Sequence, residues 1–208
     1  MPSSSNELVS VIIPSYNRAA YIEAAISSAL DQTYGPVEVI VVDDGSTDGS
    51  YEKIQQWAER GDLVLLTHPE RRNRGQSASI NLGIQQAAGS YIAILDSDDM
   101  FAKEKLADQV AFLEANPEIG MVYGQGHAVD ADGNFLFKVP GDGHQEPSDP
   151  NRLLLDCYMA LPGGSLVRRS VFEKAGLFEE SFRAGQDHDM AIRIMEATKC
   201  AYFPKLAF

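Results

Sequence analysis

Basic residues are scarce in this sequence: 17 Lys and Arg stand against 30 Asp and Glu in 208 residues, a formal charge of −13. Neutralising the phosphates of a nucleic acid takes clustered Lys and Arg, so that class of partner is excluded and a cationic ligand or metal ion is favoured. Cysteine is scarcer still. Cys157 and Cys200 show no CxxC spacing and no secretory context, which predicts two free thiols. No apolar run comes near the roughly 20 residues that span a bilayer. The opening Met1-Pro2-Ser3-Ser4-Ser5-Asn6 lacks the basic and apolar regions of a signal peptide, so the expected location is cytoplasmic. There is no internal repeat.

What is present suits one hydrophobic core. At 44% hydrophobic content the 208 residues need no disulfide or metal to fold. Short β-branched runs alternate with stretches of helical period through the first 120 residues. Leu8–Ile13, Val37–Val42, Leu63–Thr67 and Tyr91–Leu95 read as strands, and Ala19–Leu30, Tyr51–Glu59 and Gln76–Ala88 as helices, with Gly89 as a helix stop. Leu106, Val110 and Leu113 mark a further helix face that ends at Asn116-Pro117. This alternation predicts an α/β fold with a mostly parallel sheet covered on both faces.

After residue 120 the rhythm changes. Met121–Tyr123 suits a strand, and Asp132-Gly133 inside Ala128–Val139 signals a hairpin. Pro140–Asn151 reads as a long surface loop, of the kind that is usually functional or mobile. Ser170 and Glu173 have the spacing of a capping box for a short helix that stops at Gly176, and Asp189–Ala197 is helical.

In an open parallel sheet, ligands bind where the strands end and the loops diverge. Ile94-Leu95-Asp96-Ser97-Asp98-Asp99 delivers three carboxylates at such an end. In extended backbone Asp96 and Asp98 face the same way, and like charges so close call for a cation. Hard oxygen ligands suit Mg²⁺ or Mn²⁺, shared with the phosphates of a ligand. A solvated acidic turn that opens a helix would satisfy the same residues. Asp43-Asp44-Gly45-Ser46 ends another strand; its carboxylates suit a nucleoside N–H or hydroxyl, and its composition equally suits a tight turn. Pro14-Ser15-Tyr16-Asn17-Arg18 adds a ring on which a base can stack and a cation at the same edge.

Taken together, these segments resemble the inverting glycosyltransferases of family 2, which have the GT-A fold. The pieces that carry the resemblance run in order from Val9 to Arg18 and from Val39 to Asp48. Asn73-Arg74-Gly75 with Asn81-Leu82-Gly83-Ile84 and Ala88-Gly89-Ser90-Tyr91-Ile92 come next, before Asp96-Ser97-Asp98-Asp99 as the DxD motif. Leu166–Arg169 through Gly176–Glu180 resembles the acceptor-side segment, and Gly185-Gln186-Asp187-His188-Asp189 resembles the motif that carries the base. The resemblance implies a flexible N-terminus at 1–7 and a single domain over 8–208, with a nucleotide-sugar-binding half at 8–120 and an acceptor-side half at 121–208. It also implies a nucleoside-diphosphate sugar as donor, UDP-sugars favoured, and a glycan or lipid-linked acceptor in cell-surface or extracellular glycan synthesis. The cofactor would be Mn²⁺ or Mg²⁺, and the chain could sit peripherally at the inner face of a membrane.

Residue by residue, the resemblance places Pro14, Tyr16 and Asp44 around the nucleoside and Arg71 or Arg72 at the donor's nucleotide. It makes Asp98 the direct metal ligand, turns Asp96 toward the ribose or a water on the metal, and makes Asp187 the general base. Two departures stand out. Gln186 occupies a position that is commonly Glu in the family, which removes a charge from the acceptor side. Many members also have a metal-ligating His beyond the base helix, and the sequence reaches Phe208 without one, as expected of a C-terminally truncated piece or of a replaced ligand. Of His68, His127, His144 and His188, His144 in the long loop is the best-placed substitute. These departures keep open a catalytically weak or inactive nucleotide-sugar-binding module. A strand ending in DxD also opens the haloacid dehalogenase-type phosphatases, whose motif continues to Thr or Val where this chain has Met100 and lies nearer the N-terminus.

Overall fold

The structure is a computed structural model that describes residues 7–130, 132–146, 149–155, 158–159 and 161–208. Cys157 lies outside the described residues, and Cys200 is a buried free thiol.

Four parallel strands form the first half of the sheet. They are β1 (Val9–Ser15), β2 (Val37–Asp43), β3 (Val64–Thr67) and β4 (Tyr91–Ile94), in the spatial order β3-β2-β1-β4. All seven residues of β1 are buried, as expected of a strand covered on both faces. Val9, Val11 and Ile13 face α1 (Ile22–Leu30), α2 (Ser50–Glu59) and α4 (Lys105–Ala115), while Ile12 faces α3 (Gln76–Gln86) across the sheet. The helix faces are those of the sequence pattern, with Ile22, Ile26 and Ala29 buried on α1 and Leu106, Val110 and Leu113 on α4.

The second half is mixed, so the expectation of a mostly parallel sheet describes chiefly the first four strands. Beyond β4 the sheet continues with β7 (Ser165–Arg168), β5 (Ile119–Val129) and β6 (Phe135–Val139), and each step is antiparallel. β8 (Lys199–Leu206) pairs parallel to β5. β5 is longer than the three residues foreseen and forms the expected hairpin with β6 across Gly133. Two strands had no signal. β7 has only four residues, and β8 carries Lys199, Pro204 and Lys205, which suit an edge and not a core run.

Helices α5 (Pro150–Leu155), α6 (Arg169–Ala175) and α7 (Gln186–Ala197) complete the chain. α5 begins inside the segment expected as loop. The capping box is not formed: Arg168 is the N-cap of α6, without a side-chain cap bond, and Ser170 is already helical. Gly176, at φ +78°, ends α6 as expected. Gly89 serves differently from the helix stop expected of it, because α3 has ended and a Cβ there would lie 2.7 Å from the Ser10 nitrogen. Among the described residues no helix is long and apolar enough to cross a membrane.

A buried polar clamp joins α4 to the start of β7. Lys105, 1% exposed, donates from Nζ to Gln109 Oε1 at 2.8 Å and to the Ser165 carbonyl at 2.9 Å. Gln109 Nε2 in turn donates to the Gly164 carbonyl at 2.8 Å. Burial pushes the Lys105 ammonium down to about 7.

Gly83 lets α3 lie close on β1, since a Cβ there would stand 2.4 Å from Ile12 Cγ2. Gly83→Ala gains helix propensity but overpacks this contact, and the expected net loss is roughly 1–3 kcal/mol. Urea unfolding of the two proteins measures it.

Candidate active site

Strands β1, β2 and β4 end side by side, and the segments that leave them surround a cavity of about 520 Å³. Pro14, Tyr16 and Arg18 come from the β1 end, Asp44 from the β2 end, and Asp96 and Asp98 from the β4 end. The segment Asn73–Ser79 closes the remaining wall. Five of the expected site residues are thus gathered in one place. Tyr16 is 46% exposed, so its ring is available to a ligand.

The Asp43–Ser46 turn is held from within. Asp43 Oδ1 accepts from the Gly45 and Ser46 nitrogens, both at 3.2 Å. Gly45 has φ +82°, and a Cβ would lie 2.5 Å from the Arg71 carbonyl, so two loops meet where only glycine fits. Asp44 is buried and accepts from the Arg74 nitrogen at 2.6 Å and the Gly75 nitrogen at 2.9 Å. This carboxylate fixes the loop that opens α3 while lining the cavity. Among the described residues Ser15 Oγ, also on the cavity wall, and Asp43 Oδ2 are buried without hydrogen-bond partners.

The two candidate donor arginines lie elsewhere. Arg71 places its guanidinium 3.6 Å from the Tyr51 ring centroid and 3.7 Å from Asp43 Oδ1, and Arg72 pairs with Glu70 at 2.6 Å. Neither is among the residues lining the cavity. The cation that does line it is Arg18, whose Nε lies 3.2 Å from Asp98 Oδ2.

Asp96 is the most perturbed carboxylate of the site. Burial and the charges of Asp99, Asp98 and Asp187 push it up to about 7, opposed by a hydrogen bond from Gln76 Nε2 at 2.7 Å. Burial and Asp98 also raise Asp99. Asp187, in the first turn of α7, is therefore near enough for its charge to be felt at the end of β4. Gln186 Nε2 donates to Gln76 Oε1 at 2.9 Å, so an amide bridge runs from Asp96 through Gln76 to Gln186. Sequence reasoning missed Gln76; its only signal was its place directly after Asn73-Arg74-Gly75.

These carboxylates suit a hard divalent cation. Asp96 and Asp98 offer oxygen donors, and their mutual repulsion, which Arg18 relieves only in part, is what an ion would offset. Among the described residues no group of three or more His, Cys, Asp or Glu could hold a metal by itself, so a bound ion would take its other ligands from phosphate or water. None of the four histidines lines the cavity. His68 bonds Ser79 Oγ at 3.0 Å, His188 bonds the Leu153 carbonyl, and His127 packs against Phe135. His144, the best-placed substitute by sequence, instead bonds the Tyr123 hydroxyl at 2.6 Å and packs against Tyr158 and Tyr202.

Residues 10–176 match the profile of Glycosyl transferase family 2. The chain belongs to that family. An uncharacterized glycosyltransferase of Rickettsia bellii (strain RML369-C) is 36% identical to this family 2 chain over 203 residues, covering 96% of the chain and 29% of the relative. S. aureus TarS 1–349 in complex with UDP-GlcNAc superposes with a TM-score of 0.77 at 23% identity, over 96% of this chain and 57% of that one. Mannosyltransferase PcManGT from Pyrobaculum calidifontis, in complex with GDP-Man and Mn²⁺, does so with a TM-score of 0.70 at 25% identity, over 98% and 57%. The family 2 chain has the GT-A fold of these structures and spans only part of each relative's length.

The raised Asp96 has a measurable consequence. Its folded-state value of about 7 exceeds the ordinary 3.8, so between these values the folded protein binds more protons than the unfolded. Stability without metal therefore falls as pH rises from about 4 to about 7 by this group's contribution. Asp96→Asn is expected to lessen that fall, read by urea unfolding at pH 5 and pH 8 with a chelator present.

Proposed function

We propose that the chain transfers a sugar from a nucleoside-diphosphate sugar to an acceptor hydroxyl with inversion at the anomeric carbon, assisted by a divalent cation, in cell-surface or extracellular glycan synthesis. The observation that carries this reading is the single cavity bordered by Pro14, Tyr16, Asp44, Asp96 and Asp98, with Asp187 close by. The nucleotide sugars bound in the two similar structures support a donor of this class, and UDP is favoured.

In this reading the base lies beside Tyr16 and Pro14. Asp44 has its two oxygens engaged by backbone N–H groups, and each retains a lone pair for a base N–H. Ser15 Oγ, buried and without a partner among the described residues, is a further hydrogen-bonding group for the nucleoside. Asp98 and Asp96 would hold Mn²⁺ or Mg²⁺, which supplies Lewis-acid stabilisation of the departing diphosphate. Arg18 then turns from Asp98 to the phosphates. Asp187, in the first turn of α7, removes the proton of the attacking hydroxyl.

Gln186 favours a second reading, a nucleotide-sugar-binding module with little or no catalysis, because an amide stands beside the base where the family commonly has a carboxylate. A thermal-shift panel of UDP, GDP and ADP with and without Mn²⁺ comes first. A metal-dependent rise with one nucleotide is expected, and no rise with any of them would sink the assignment. Asp187→Asn should then lower kcat for sugar transfer or donor hydrolysis by about 10²–10⁴-fold with nucleotide binding kept. Binding without turnover in the wild type would favour the module.

A further inference from the structure

A second cavity, of about 510 Å³, opens on the far side of the Asn73–Gln76 wall and shares Asn73, Gly75 and Gln76 with the first. Its other lining residues include Arg74, Arg183, Phe182, Glu180 and Gln186. In a chain with a net charge of −13 this wall is unusual, with two guanidiniums against one carboxylate. Among the described residues neither Arg74 nor Arg183 has an ion pair or a side-chain hydrogen bond. The one carboxylate is already engaged, as Glu180 Oε1 accepts from Asn81 Nδ2 at 3.0 Å.

Two further features suit a sugar. Phe182 is 46% exposed and offers an apolar face to a pyranose ring. Among the described residues Gln186 Oε1 is buried without a hydrogen-bond partner, an acceptor to which a sugar hydroxyl can donate. Gln186 also adjoins Asp187, which puts the cavity on the side of the proposed base and away from Tyr16 and Pro14.

We propose that this second cavity binds an acceptor sugar unit carrying a carboxylate or phosphate, with the anionic group held by Arg74 and Arg183 and a neighbouring hydroxyl bonded to Gln186. This inference rests on the glycosyl-transfer reading above and names its acceptor class. Arginine suits the task because its planar fork matches both anions.

The test titrates cellobiouronic acid and cellobiose, which differ by a carboxylate in place of a hydroxymethyl group, into the protein with and without saturating UDP and Mn²⁺. The acid is expected to bind at least tenfold tighter, and Arg183→Met and Arg74→Met each to erase most of that preference. A UDP titration of each variant reports whether it is folded. Equal binding of the two disaccharides, or a preference unchanged in both variants, overturns the inference. A parallel arm compares UDP-glucuronic acid with UDP-glucose. An arginine-dependent preference there, without one for the disaccharide acid, would place the anionic group on the donor and overturn the acceptor assignment. Failure of UDP to bind while the acid still binds through the arginines would defeat the nucleotide reading alone.

Discussion

Mutual repulsion among carboxylates at one edge of the sheet is the constraint around which this domain is arranged. Asp43, Asp44, Asp96, Asp98 and Asp99 stand where three adjacent parallel strands end, and the charge of Asp187 reaches the same place. Four of them are held by different devices. Asp43 folds its own turn, and Asp44 takes two N–H groups from the loop that opens α3. Asp98 faces Arg18, while Asp96 accepts from the Gln76 amide. Most of the local conformation around the cavity follows from these pairings.

The same pairings connect the two cavities. Asn73, Gly75 and Gln76 form a common wall, held to the β2 end by Asp44 and to the β4 end by Asp96. The Gln76 amide is oriented by its neighbours: its NH₂ faces a carboxylate, so its oxygen needs a donor on the other side. Gln186 provides one and an ionised Glu could not, which gives the departure at 186 a local physical reason.

The legible parts of the fold were those governed by local pattern. β1, β2 and β4 are short apolar runs rich in β-branched residues with buried centres, and acidic residues stood out by directly following the runs of β2 and β4. Contacts closed by the chain's return were not legible. Arg18 meets Asp98 across 80 positions and Gln186 meets Gln76 across 110, and nothing in the intervening sequence announces either pairing. Arg71 looked like a donor contact by position, yet its packing on Tyr51 is a tertiary choice. The short strand β7 and the proline-bearing β8 exist because β5 offers them partners, not because their own residues demand it.

The clamp under β7 bears on how this domain can vary. Lys105 and Gln109 stand one helical turn apart and between them serve the carbonyls of Ser165 and Gly164. Losing either side chain removes one hydrogen bond to a carbonyl at the entry of β7 together with the bond between the two side chains. A substitution at either position therefore loosens both the entry into β7 and the remaining side chain of the clamp. Gly163 donates to the Ile94 carbonyl at 2.7 Å, so that entry is tied to the strand end that launches Asp96. The geometry of the clamp is thus felt, through Gly163, at the strand end that carries Asp96 to the cavity.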